Sequence, residues 1–284
     1  MNNDLPSGKP ATSPPDPESE HNMNGHTSSE RSDASGALSR YDPDSTGTSI
    51  APQGVPVQLK LEKTPREFTH LLAAVERQVS ALLEPATSLD GFASPSSQYV
   101  LGVTSAIPGE GKTTAAMHLA LALARDTFKK ICLIDLSLGS GDLITRLGIN
   151  TKVEGFVAAL ESDDRIVPTL QFADCENLVV IPAGKAPENP SRLARSPRIG
   201  QMIASARENF DLVILDLPDV GSDNVLPIAQ YADGLLMVTR AGATPAHVVN
   251  RALDAIGREK VIGVTLNRTT TSVPAWLQRF VPRS

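Results

Sequence analysis

Six short apolar runs recur along the chain, each bounded by polar or turn-forming residues. They cover residues 99–104, 131–134, 178–181, 212–215, 234–239 and 261–266. Runs of this length without polar alternation are typical of strands that are buried on both faces of a parallel sheet. Between them, apolar residues at three- and four-residue steps predict helices at 113–124, 199–207 and 246–256. The alternation predicts a doubly wound α/β fold, a mostly parallel sheet with helices on both faces.

The flanking segments have a different composition. Residues 1–56 carry few large apolar side chains to offset the entropy of ordering, so we expect a disordered N-terminal tail. Residues 57–97 combine a predicted helix, with an apolar stripe from Phe68 to Leu83, and a linker rich in Ser and Pro. Residues 98–268 form the predicted α/β domain, and residues 269–284 form a short amphipathic tail.

Composition and charge restrict the classes of function. The chain has 284 residues and a net charge of −6, so it lacks the clustered basic surface that nucleic-acid binding requires. Its two cysteines, Cys132 and Cys175, do not have metal-ligand spacing. No apolar run approaches the ~20 residues of a membrane-spanning helix, and the N-terminus lacks a signal-peptide layout. We therefore expect a cytoplasmic protein that does not bind nucleic acid.

The most specific motif is SAIPGEGKTT, which joins the first apolar run to the first predicted helix. It matches the phosphate-loop pattern G-x-x-x-x-G-K-[ST] except at the first glycine position, which is Ala106. Gly109 and Gly111 permit close approach of backbone N–H groups to an anion. Lys112 supplies a positive charge, and the Thr113 hydroxyl is placed to bind Mg²⁺. We predict that ATP or ADP is bound by Pro108, Gly109, Glu110, Gly111, Lys112, Thr113 and Thr114.

Two of the buried runs are followed by an aspartate, Asp135 and Asp216. Carboxylates at the carboxyl ends of parallel strands share one sheet edge with a phosphate loop. Asp216 would hold Mg²⁺ there, and Asp135 would bind the hydrated ion or polarise the attacking group. We therefore assign Thr113, Asp135 and Asp216 to the metal, and Lys112, Asp135 and Asp216 to catalysis. Asn267, after the last run, could face the purine base or could simply form a turn.

Five segments between about residues 67 and 268 carry a family resemblance. They read TSAIPGEGKTT, GFVAALES, LVVIPAGKAPENPSRLARSP, FDLVILDLPDVGSDNVLPIAQYADGLLMVTRAGATP and VIGVTLN. Together they resemble the cytoplasmic domain of the bacterial tyrosine kinases (BY-kinases) of capsule and exopolysaccharide assembly. The partitioning and division-site ATPases of the same P-loop superfamily carry an extra Lys and Gly where this chain has Ile107 and Pro108.

The resemblance implies an ATPase or non-specific protein-tyrosine kinase that works with a separate integral-membrane polysaccharide co-polymerase of the Wzz type. It also implies a homodimer or larger oligomer at the inner face of the plasma membrane. Membrane association would be peripheral, through the partner or weakly through the C-terminal tail.

The chain departs from the family pattern in three places. In the second acidic motif, D-x-D-x-R, the second acid and the arginine are replaced by Ser137 and Gly139. In the ring-forming helix, E-x-x-R-x-x-R, the arginines are replaced by His70 and Ala73, and the tail after Asn267 has no tyrosine. These departures predict reduced hydrolysis or phosphotransfer. Two alternatives stay open: a non-catalytic nucleotide-dependent interaction module, and a MinD- or ParA-like positioning ATPase.

Overall fold

The computed structural model describes residues 38–41, 77, 98–138, 142–149, 155–161, 167–172 and 175–268. The strands are β1 (Leu38–Tyr41), β2 (Tyr99–Ser105), β3 (Ile131–Asp135), β4 (Val167–Phe172), β5 (Cys175–Ile181), β6 (Leu212–Asp216), β7 (Gly234–Arg240) and β8 (Val261–Asn267). The helices are α1 (Lys112–Asp126), α2 (Asp142–Arg146), α3 (Phe156–Glu161), α4 (Pro190–Ala194), α5 (Pro197–Asn209), α6 (Val225–Ala229) and α7 (Ala246–Ile256), with a 3₁₀ turn at Arg258–Lys260.

The strands form one eight-stranded sheet in the order β1-β4-β5-β3-β6-β2-β7-β8. The six strands from β5 to β8 in this order are parallel, whereas β4 and β1 add antiparallel pairs at one edge. Because β6 inserts between β3 and β2, the carboxyl ends of these three strands are adjacent. In doubly wound sheets this is the edge at which ligands bind. The predicted α/β fold class is confirmed.

Apolar side chains fill a layer on each face of the sheet. On one face, residues such as Cys132 and Val213 pack in the same cluster as Ile199 and Ile203 of α5. On the other face, the neighbouring strand residues pack against α1, for example Leu133 and Ile214. Burial on both faces explains why the strand sequences do not alternate between apolar and polar residues.

The helix α1 follows the loop after β2 and packs against one face of the sheet. Its sequence, KTTAAMHLALALARD, is rich in Ala and Leu, which have high helix propensity. Gly111 precedes it with φ 98°, and Thr127 ends it by donating its backbone N–H to the Leu123 carbonyl. The N-terminus of this well-packed helix is therefore fixed at the carboxyl edge of β2.

The six predicted strands are all present, and five of them run one residue further than predicted. The added residues are polar and end the strands: Ser105, Asp135, Asp216, Arg240 and Asn267. The sequence did not predict β1, β4 or the short helices α2, α3, α4 and α6. The residues of β1, inside the predicted disordered tail, depart from that expectation by pairing with β4.

Two further predictions fall mostly outside the described residues. The predicted helix from Phe68 to Leu83 does so except at Arg77, which is helical. The amphipathic tail at residues 269–284 does so entirely. Among the residues that are described, no helix has the length and hydropathy to span a membrane.

Candidate functional site

Six residues connect β2 to α1 and form a tight loop around two glycines. Gly109 and Gly111 have φ angles of 81° and 98°, in the left-handed region that side chains other than glycine seldom adopt. A Cβ atom on Gly111 would lie 2.1 Å from the Nδ2 atom of Asn267. Successive N–H groups in such a conformation form a concave anion site, and the α1 N-terminus adds a favourable dipole.

The first half of this loop is closed by its own hydrogen bonds. The Ser105 hydroxyl donates to the Ile107 carbonyl at 2.8 Å. The Ile107 N–H donates to Glu110 Oε2 at 2.9 Å. Since both backbone groups of Ile107 are engaged within the loop, its N–H is not available to bind an anion.

The Glu110 carboxylate is buried and turned towards the end of β7. Its Oε1 atom accepts from the Thr239 hydroxyl at 2.9 Å, the Arg240 N–H at 3.0 Å and the Thr244 hydroxyl at 2.5 Å. Burial raises the pKa of Glu110, but hydrogen bonds from Thr244, Ile107, Arg240 and Thr239 outweigh it, and the pKa lies below its ordinary value. Glu110 was predicted to bind nucleotide, but its side chain binds the protein, so nucleotide binding stays a prediction for its backbone N–H alone.

Asn267, at the end of β8, lies against the same loop. Its Nδ2 atom donates to the Glu110 carbonyl at 2.8 Å, and its Oδ1 atom accepts from the Arg268 N–H at 2.8 Å. Among the described residues, the second amide hydrogen of Asn267 has no acceptor. The contact with the loop was not anticipated from the sequence, and the base-facing role stays a prediction.

Asp135 and Asp216 are direct partners in the register of β3 and β6. Adjacent strands lie about 4.8 Å apart, so two carboxylates that are 1% and 0% exposed end neighbouring strands. Burial, and next the charge of Asp135, raise the pKa of Asp216 to about 7, although Lys112, the nearby Thr113 hydroxyl and Arg146 oppose this. Apart from this Thr113 hydroxyl, no donor among the described residues contacts the Asp216 carboxylate.

The Asp135 carboxylate is oriented by the residue that stands in place of the family's second acid. Ser137 donates to Asp135 Oδ1 twice, through its N–H at 3.0 Å and its hydroxyl at 2.6 Å. The next residue, Leu138, has a φ of 51°, an unusual conformation for a branched side chain. The chain therefore turns sharply directly after Asp135, and Gly139 lies outside the described residues.

The chemistry of these residues fits a magnesium ion. Two adjacent buried carboxylates repel each other, and a divalent cation between them would relieve both the repulsion and the cost of burial. Thr113, which is 3% exposed, lies in the first turn of α1 at the same sheet edge. Mg²⁺ prefers such oxygen ligands and usually keeps several waters. The site has only two such acids: among the described residues, no group of three or more His, Cys, Asp or Glu is placed to hold a metal ion.

Three side chains of this site were not predicted from the sequence: Ser137, Thr239 and Thr244. The spacing of Asp135 and Ser137 is that of a local side-chain turn, so this pair could have been found. Thr239 and Thr244 are separated from Glu110 by 129 and 134 residues, and no local signal connects them.

Comparisons with known proteins agree with this geometry. A family model described as ParA, NUBPL iron-transfer P-loop NTPase, matches residues 96–276. The tyrosine-protein kinase CpsD of Streptococcus pneumoniae serotype 4 is 30% identical over 177 residues, which are 61% of this chain and 78% of that protein. CpsD of Streptococcus agalactiae serotype Ia is 29% identical over 180 residues, 62% of this chain and 77% of that protein.

Among solved structures, the VpsO kinase domain has a TM-score of 0.58 and 28% identity, covering 72% of this chain and 97% of that domain. The fold and site thus define a P-loop NTPase that binds nucleotide. The chain belongs to the ParA-type P-loop NTPases and, within them, to the bacterial tyrosine kinases of the CpsD type. The expected BY-kinase-like protein of the capsule and exopolysaccharide type is confirmed.

Proposed function

We propose that the chain binds ATP with Mg²⁺ and hydrolyses ATP or transfers its γ-phosphoryl group to protein, in capsule or exopolysaccharide assembly. One observation carries the enzymatic part. Asp135 and Asp216 lie in register, buried, at the strand ends beside the phosphate loop. Such a pair costs stability unless it serves a cation, so its presence supports a metal-dependent activity.

The residues of the site divide the work between them. The loop amides, the α1 N-terminus and Lys112 bind and orient the β- and γ-phosphates. Thr113 and Asp216 would hold a Mg²⁺ ion, which would supply positive charge to neutralise the phosphate oxygens. Asp135, oriented by Ser137, accepts a hydrogen bond from the attacking water or hydroxyl, and in this way aligns it.

The separate membrane partner remains part of the proposal. Relatives named as tyrosine kinases and the resemblance of the phosphate loop support a Wzz-type co-polymerase that recruits this chain to the membrane, where it forms a homodimer or oligomer. Co-sedimentation with vesicles that contain such a co-polymerase, and none with vesicles of lipid alone, is the expected result. Equal sedimentation with bare lipid would contradict recruitment by a partner.

Labelled nucleotide tests the proposed activity. The purified chain is incubated with γ-labelled ATP, Mg²⁺ and a tyrosine-containing acceptor polymer, beside Lys112→Met and the control Lys185→Met, which changes an exposed lysine. We expect release or transfer of label by the wild type and the control, and neither by Lys112→Met. Label on tyrosine identifies a kinase, and free phosphate alone identifies an ATPase. Tight ATP binding without either product would leave only a nucleotide-binding module and overturn the enzymatic proposal.

A further inference from the structure

A carboxylate inside a phosphate-binding loop needs a physical reason, because it adds negative charge beside an anion site. Glu110 is 1% exposed and its two oxygens accept four hydrogen bonds, at distances of 2.5 to 3.0 Å. The four donors come from the loop itself, from the end of β7 and from the connection to α7. A carboxylate with this many donors is stable as an anion, in agreement with its lowered pKa.

This arrangement connects three separate segments through one side chain. Ile107 belongs to the loop, Thr239 to the carboxyl end of β7, and Thr244 to the segment before α7. A loop with two glycines in six residues would otherwise sample many conformations, and binding a ligand would have to restrict them. Hydrogen bonds that restrict the loop in advance reduce that entropic cost of binding.

The backbone of Glu110 is held by β8, the strand that neighbours β7 in the sheet. Asn267 of β8 donates to the Glu110 carbonyl, and its amide occupies the space where a side chain at position 111 would lie. Glu110 is therefore held through its side chain by β7 and through its main chain by β8. No other residue of the loop has contacts of both kinds among the described hydrogen bonds.

We propose that Glu110 is a positioning residue that holds the phosphate loop in its nucleotide-binding shape before the nucleotide arrives. Its carboxylate acts through the loop, anchoring it to Thr239, Arg240 and Thr244, and does not touch the phosphates. The proposal rests on the proposed function in one respect, since it takes this loop as the nucleotide site.

The experiment compares full-length variants that keep or remove single hydrogen bonds to the Glu110 carboxylate. Thr244→Val removes one hydroxyl donor at nearly constant volume, and Thr244→Ser restores the hydroxyl. Thr265→Val makes the same change at a buried threonine of β8 that lies outside the Glu110 contacts. Glu110→Gln removes the charge. The measurements are the dissociation constant of a fluorescent, non-hydrolysable ATP analogue with Mg²⁺, and hydrogen–deuterium exchange of residues 105–114 in the nucleotide-free protein.

We expect affinity to fall roughly fivefold in Thr244→Val and roughly tenfold in Glu110→Gln, and to stay unchanged in Thr244→Ser and Thr265→Val. Exchange in the nucleotide-free loop should rise in the first two variants only. Adding Thr244→Val to Glu110→Gln should cost little more, because both changes break the same interaction.

Loop exchange and affinity in Thr244→Val that equal those of Thr244→Ser would overturn the positioning role. An equal loss in Thr265→Val would also overturn it, since the effect would then be general destabilisation. A wild-type chain that binds no analogue refutes the proposed function instead. The exchange of the nucleotide-free loop would still decide whether Glu110 orders it.

Discussion

The phosphate loop lies between two regions that each contain a buried carboxylate, and the pKa of the carboxylate is shifted in opposite directions in the two regions. On the β7 side, Glu110 accepts four hydrogen bonds and its pKa is lowered. On the β3–β6 side, no donor other than the Thr113 hydroxyl contacts Asp216 among the described residues, and its pKa is raised to about 7. Both carboxyl groups are about equally hidden from solvent.

The difference shows that burial alone does not determine what a buried acid does. Burial raises both pKa values, and the number of donors then decides the outcome. Glu110 is saturated by protein donors, so it serves structure. Asp216 has a second acid beside it, and Lys112, Thr113 and Arg146 offset its burial only in part, so it is suited to bind a further cation.

The largest expected effect is on ATP turnover, after a change at Asp216 on the β3–β6 side. Asp216→Asn removes a metal-binding charge, so Mg²⁺-dependent turnover of ATP should fall roughly 100-fold or more. The matched control is Asp219→Asn, which changes a partly exposed acid three residues later. Steady-state release of phosphate measures both variants. If Asp216→Asn retained wild-type turnover, the cation would have to be bound elsewhere.

The same substitution should have the opposite effect on stability. Without nucleotide and metal, Asp216→Asn should raise the free energy of unfolding by about 2 kcal/mol at pH 8, because it removes a buried charge that its neighbours compensate only in part. The raised pKa means that the folded wild type holds a proton which the unfolded chain releases above pH 3.8. Wild-type stability therefore falls as pH rises from about 4 to about 7.

Urea unfolding at pH 5 and pH 8 measures this difference. The stabilising effect of Asp216→Asn should be smaller at pH 5, where the wild-type carboxyl is protonated. A destabilised variant at pH 8 would show that Asp216 has a stabilising partner in the nucleotide-free protein.

On the β7 side, replacing the Glu110 carboxylate by an amide should destabilise the chain. Glu110→Gln should lower the free energy of unfolding by about 1.5 kcal/mol at pH 8, because an amide cannot accept from all four donors. The wild-type contribution is present above pH 4.5 and is lost as pH falls through the lowered folded pKa. Urea unfolding beside Glu208→Gln, an exposed glutamate, provides the measurement and its control. Equal stability of the variant and wild type would remove the contrast between the two regions.

The smallest effect concerns the orientation of Asp135. Ser137→Ala removes the hydroxyl bond but keeps the backbone bond to the same oxygen, so turnover should fall only about threefold. The control is Ser191→Ala on the exposed side of α4. Single-turnover phosphate release is the suitable measurement. A loss as large as that of Asp216→Asn would mean that Ser137 itself contacts the nucleotide or the metal.

The sequence predicted the parts of the fold that depend on local pattern. Strands such as β3 and β6 could be predicted because burial on both faces leaves continuous apolar runs, ending at Asp135 and Asp216. Strand β4, the second from one edge of the sheet, was missed because it is antiparallel to its neighbours, contains Pro168 and lacks such a run. Helices of five or six residues, such as α3, are too short to show a helical period.

Of the candidate site, too, only the residues that belong to local sequence patterns could be predicted. Lys112, Thr113 and the glycines follow from a contiguous motif, and the two acids follow from strand ends. The role of Glu110 could not be predicted, because its partners Thr239 and Thr244 become neighbours only when β7 pairs with β2. A polar residue between two glycines gives no sign of which way its side chain turns.

The register of β3 on β6 limits where insertions and deletions can occur in homologous chains. Apolar residues within either strand can be exchanged for others of similar volume without moving Asp135 from its place beside Asp216. Deletion or insertion of one residue in either strand would turn every following side chain to the other face and separate the acids. We therefore expect length variation among homologous chains to accumulate in the connecting loops, and these two strands to keep a constant number of residues.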